Sequence, residues 1–66
     1  MITLVELEQY LKSRSAVFTP QLARDILRRA RKTARNGRIH PHEMLEVAGN
    51  EPNLADNLSR LAASAA

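Results

Sequence analysis

TPQLARDILRRARKTARNG, residues 19–37, holds a helix start signal, an unbroken helical period and a stop signal. The fold follows from how its two sides are used. Thr19 is placed to accept from the free donors of a first helical turn, and Pro20 takes the first helical position, where no donor is required. At roughly 100° per residue, Leu22, Ala23, Ile26, Leu27, Ala30, Thr33 and Ala34 share one arc. Arg24, Arg28, Arg31, Lys32 and Arg35 share the opposite arc. Such separation predicts a helix with one face on a core and the other in water. Gly37, a natural left-handed cap, sets its expected end near Asn36. Four of the cations (Arg24, Arg28, Arg31 and Arg35) follow i, i+4, i+7, i+11 spacing, which on a continuous helix makes a ridge about 16 Å long.

Outward from this segment, the chain reads as helices on both sides. Thr3 with Glu6 three residues later forms a capping box, followed by Leu4, Leu7 and Leu11 on one face with Tyr10 at its edge. Ala16, Val17 and Phe18 are too apolar for a wet turn, and Phe18 is assigned to the core. Beyond Gly37, Pro41 opens a short helix in which Met44, Leu45 and Ala48 supply the buried side, closed by Gly49-Asn50. Leu54, Leu58, Leu61, Ala62 and Ala65 then form a stripe at i, i+4, i+7, i+8 and i+11, with Asn53 and Asp56 as candidate caps. No run alternates as a strand would. The expectation is one all-α domain spanning 1–66, a small four-helix fold with helices near 3–14, 20–36, 41–48 and 53–64. A 66-residue chain without Cys has a small core and no disulfide to reinforce it. Homodimerisation through the Leu54/Leu58/Leu61 stripe, or through the Ala-rich edge of the second helix, is one way to enlarge that core.

The formal charge of +3 conceals a division. Residues 24–38 carry seven cations against Asp25, a balance of +6, and the remaining residues balance to −3. Asp25 is spaced to pair with Arg29 four residues on. The other cations have no local partner. Six of the seven are Arg, whose planar fork suits phosphate and carboxylate oxygens better than the ammonium of Lys. The candidate binding residues are Arg24, Arg28, Arg31, Lys32, Arg35 and Arg38. Nucleic acid, DNA ahead of RNA, is the favoured ligand class, since a clustered cationic stripe gains from counterion release. An acidic protein surface is the alternative, whether on an adaptor's or inhibitor's target or on a second copy presenting Glu6, Glu8, Glu43 and Glu46. A solvated face with no ligand is the third reading. Membrane-surface binding does not fit, because the apolar side of this helix is small and Ala-rich, without bulky aromatic residues.

LEQYLKSRSAVFTPQLARDI, residues 7–26, resembles the first two helices of winged-helix regulators. The resemblance implies a turn and a recognition helix soon after. Here the helical pattern continues instead through LRRARKTARN, so the likeness covers about 20 residues. A second helix-turn-helix reading would use GRIH as the turn and PHEMLEVAG as the recognition helix. That helix offers Glu43 and Glu46 to phosphates, the wrong sign. If DNA is bound, the second helix makes the contact, with Arg28 and Arg31 the central candidates for guanine edges.

Little points to catalysis. His40 and His42 stand two apart beside Glu43, whereas helical metal sites favour i, i+4 pairs, so no metal and no cofactor is expected. His40 reads better as the cap before Pro41. No Ser has a base and orienting group in a recognisable pattern, no Gly-rich phosphate loop exists, and a chain this short is not expected to enclose a pocket of several hundred Å³. No stretch approaches the roughly 18 apolar residues of a membrane span, and the N-terminus lacks the pattern of a secretory signal. The expectation is a cytoplasmic, non-enzymatic regulatory or accessory protein of a bacterial or phage kind.

Overall fold

The computed structural model describes residues 1–64. Four helices carry the fold: α1 (Leu4–Ser13), α2 (Pro20–Thr33), α3 (Met44–Val47), entered through a 3-10 turn at Pro41–Glu43, and α4 (Pro52–Ser64). Two short strands, β1 (Ile2–Thr3) and β2 (Arg38–Ile39), pair antiparallel with Ile2 opposite Ile39 and Thr3 opposite Arg38. The all-α expectation therefore gains a small sheet that no local alternation announces.

The helix starts follow their caps. Thr3 accepts from Glu6 N–H at 3.1 Å while Glu6 Oε1 accepts from Thr3 N–H at 3.0 Å, closing the capping box of α1. Thr19 accepts from Leu22 N–H at 3.2 Å, and Pro20 is the first residue of α2. Helix α4 begins at Pro52, ahead of the expected Asn53, because proline fits the first helical position without losing a bond.

Helix α2 ends earlier than its sequence pattern suggests. Ala34 turns extended (φ −62°, ψ 141°) after its N–H reaches the Ala30 carbonyl at 2.8 Å. Arg35 and Arg38 then exchange both backbone bonds, at 2.9 and 3.0 Å, across Asn36 and Gly37. Both central residues have positive φ, 55° and 74°, as a type I′ hairpin turn requires. Gly37 is thus the second central residue of a hairpin and not a helix cap. The gain is burial: β2 brings Ile39 against Ile2, leaving both side chains at 1% exposure or less.

Around this pair the core collects Leu7, Leu11, Phe18, Ile26, Ala30, Met44, Val47, Leu58 and Ala62. Phe18 is buried as expected, whereas Val17 is 67% exposed. Leu45, expected on the buried side of α3, is also exposed, and Val47 takes that place. Helix α1 packs on α2, and α3 bridges α2 and α4. Leu58 is fully buried, and Leu54 and Leu61 lean on the same core. Of the stripe suggested for dimerisation, Leu58 and Ala62 are buried within the chain and Leu54 and Leu61 are half-buried; its last member, Ala65, lies outside the described residues.

Helix α3 is a single turn closed by a Schellman motif. Asn50 N–H reaches the Leu45 carbonyl at 2.9 Å and Gly49 N–H the Glu46 carbonyl at 3.0 Å, with Gly49 at φ 66°. A helix of this length cannot lie along a DNA groove, so the reading of PHEMLEVAG as a recognition helix fails on length as well as charge. Helix α2 leads into a hairpin where a third full helix would follow in a winged-helix regulator. Among the described residues, no helix is long and apolar enough to cross a membrane.

Candidate nucleic-acid interface

The core direction on α2 is set by Ile26 and Ala30, both without exposed surface. On the opposite side of the helix, Arg24, Arg28, Arg31 and Lys32 are exposed. Arg24, Arg28 and Arg31 follow i, i+4, i+7 and span about 10 Å along the axis. Arg35 does not extend this line. It stands with Arg38 on the hairpin beyond the helix, both residues exposed. The expected straight four-Arg ridge is corrected to a three-Arg ridge continued by a two-Arg turn, because the helix gives way to the Asn36-Gly37 turn.

The acid within the stretch engages differently from its spacing. Asp25 Oδ1 lies 3.4 Å from the Arg28 guanidinium and accepts from Gln21 Nε2 at 3.3 Å. The Arg28 side chain is 64% exposed, so this is a weak surface pair that an incoming anion can displace. Arg29, expected as the partner of Asp25, turns the other way: its Nε donates to the Val47 carbonyl at 2.9 Å, and its guanidinium covers Gly49. Arg29 therefore secures α3 against α2. On the helical wheel it borders the apolar arc, the one sign in the sequence that it differs from the others.

Arg24, Arg31, Lys32, Arg35 and Arg38 enter no ion pair among the described residues. Two of them have a local structural use. Arg31 and Lys32 lie in the last turn of α2, where a cation offsets the negative end of the helix dipole. The remaining charge stays free for an outside anion.

Beside the basic ridge, α1 and α2 diverge to leave an open groove of about 320 Å³. Leu11, Phe18, Ala23 and Leu27 form its apolar wall, with Glu8 and Lys12 on the α1 side. The sequence did not suggest a concavity of this size, because it arises from how two helices part at the Ser13–Thr19 turn.

The acids are dispersed. Glu6 is held in the capping box, where the Thr3 backbone N–H and then the Thr3 hydroxyl keep its carboxyl below the usual value. Glu43 is half-buried and accepts from His40 N–H at 2.9 Å. Glu8, half-buried, and Glu46, exposed, enter no ion pair among the described residues. The His40 and His42 rings stack at 5.4 Å between centroids, and the described residues contain no group of three metal-ligating side chains.

Comparison with protein-family models, curated proteins and solved structures found no match to this chain. The cationic surface has to be interpreted by its own chemistry.

Proposed function

We propose that this protein binds the phosphate backbone of double-stranded nucleic acid, DNA ahead of RNA, as a small regulatory or accessory factor. The observation that carries the reading is a set of exposed cations on two successive elements, Arg24, Arg28, Arg31 and Lys32 on α2 and Arg35 and Arg38 on the hairpin, five of these six without an ion-pair partner among the described residues. Two elements at different orientations bring cations to phosphates that a single helix edge would not reach together. Each neutralised phosphate releases condensed counterions, the main source of affinity for such a surface.

A duplex is favoured over single strands for a physical reason. Proteins that hold single strands use aromatic side chains on which bases stack. Phe18 is only 5% exposed, and Tyr10 is packed between Phe18, at 6.0 Å, and the Arg14 guanidinium, at 5.1 Å. DNA is favoured over RNA because the major groove of B-DNA, about 12 Å wide, admits a helix, whereas the A-form groove is too narrow. Arg28 and Arg31 are the central candidates for base edges.

The test is titration of labelled duplex DNA, duplex RNA and single-stranded DNA at two salt concentrations. Binding should be tightest to duplex DNA and fall steeply with salt, with the log–log slope reduced by about one for each phosphate-contacting Arg removed. Absence of binding to all three at low salt overturns the reading.

A further inference from the structure

We infer that the groove between α1 and α2 is a docking site for an acidic amphipathic helix of a partner protein. The groove lies beside the proposed phosphate-binding surface and borrows Arg24 and Arg31 from it, but the proposal does not rest on that reading. The wall formed by Leu11, Phe18, Ala23 and Leu27 is apolar, and the volume of about 320 Å³ leaves room for roughly two aliphatic side chains at packed density. Val17, 67% exposed and next to Phe18, extends the apolar surface at the turn. An open trough between two helices fits the face of a third, whose anchors recur at i, i+4 and i+7.

The charge on the rim sets the sign of the occupant. On a helix surface the neighbours of Leu27 include Arg24, three residues before it, and Arg31, four after. Both are exposed and enter no ion pair among the described residues. They stand outside the groove's lining, on the α2 surface next to Leu27, and give that side a cationic flank. The α1 edge carries one charge of each sign, Glu8 and Lys12. A helix seated here satisfies both edges when its carboxylates lie on the α2 side.

A second copy of this chain does not supply such a helix. The outer face of α1 holds Glu6 in its cap, that of α2 is basic, and that of α4 pairs Asp56 with Arg60 at 2.9 Å. A base is also a poor occupant, since the aromatic face of Phe18 is covered. The complementary ligand is a heterologous acidic helix.

The experiment titrates the isotope-labelled full chain with a synthetic helix of about four turns, carrying Leu at i, i+4 and i+7 and Glu along one flank. Amide shifts should concentrate at Leu11, Phe18, Ala23 and Leu27. Exchanging the peptide's Leu residues for Ser should abolish them. Arg24→Glu/Arg31→Glu, on exposed positions that leave the fold intact, should weaken binding about tenfold, and Glu8→Lys should strengthen it about threefold. Absence of groove shifts, or equal binding by the Ser-substituted peptide, overturns the proposal. So do groove shifts produced by decanoate when the peptide produces none, which would assign the groove to an acyl chain.

Discussion

Arg29 donates its Nε to the Val47 carbonyl at 2.9 Å, and this bond separates it from every other cation on α2. Its neighbour Arg28 faces solvent with only Asp25 beside it. Two adjacent arginines thus serve different ends: one joins helices, the other is available to an anion. Arg29→Ala should lower unfolding stability by about 2 kcal/mol, the worth of a charge-assisted hydrogen bond, without changing the salt slope of duplex binding. Arg28→Ala should do the reverse, changing stability by about 0.5 kcal/mol or less while lowering the slope by about one. Urea denaturation and salt-dependent titration of both variants check the division.

Gly37 and Gly49 both have positive φ, yet their surroundings differ. A Cβ on Gly37 meets nothing within 4 Å, whereas one on Gly49 would lie 3.0 Å from the Arg29 guanidinium. Gly37→Ala should cost only the left-handed backbone penalty, about 1 kcal/mol. Gly49→Ala should cost more, because the same penalty is joined by displacement of Arg29 from Val47. Equal thermal shifts in the two variants would show that Arg29 is not held at Gly49.

Arg35 and Arg38 test whether the hairpin belongs to the binding surface. Both side chains are exposed, and the turn is held by backbone bonds alone. Arg35→Ala/Arg38→Ala should leave the melting temperature nearly unchanged and lower the log–log salt slope by about two. An unchanged slope would confine phosphate contact to α2.

Acid should weaken α1 through Glu6. Its carboxyl is held below the usual value by the Thr3 backbone N–H and then the Thr3 hydroxyl. For a group whose folded pKa is depressed, the stabilisation is complete above the unfolded carboxyl's pKa and is lost as pH falls through the folded one. Wild type should therefore lose stability across that acidic window in a component absent from Glu6→Gln, whose amide still accepts from Thr3 but does not titrate. Denaturant midpoints of both proteins as a function of pH measure this difference.

The α2 pattern illustrates what is legible in the chain and what is not. Its start, its buried face and its exposed cations are all readable because they depend on residues within four positions of one another. Its end is locally ambiguous at a specific place: Asn36-Gly37 is both a plausible helix stop and the strongest short hairpin signal. The choice rests on Ile39, which gains complete burial only when β2 lies beside β1. Strands of two residues carry no periodicity from which that pairing could be inferred. Asp25 shows the same limit on a smaller scale, since spacing permits either Arg28 or Arg29 as its partner, and Arg29 is taken by Val47.

By itself the sequence determined four helices, the caps that start α1 and α2, and a division of α2 into an Ala-rich inner face and a basic outer one, because helical periodicity and N-capping are local properties. Only the tertiary structure decided that Ile2 meets Ile39, that Arg29 belongs to α3, that the arginine ridge breaks at Ala34, and that a groove opens beside Leu27. Each of these depends on groups distant in the chain, brought together because burying Ile2, Ile39 and their neighbours outweighs continuing the helix.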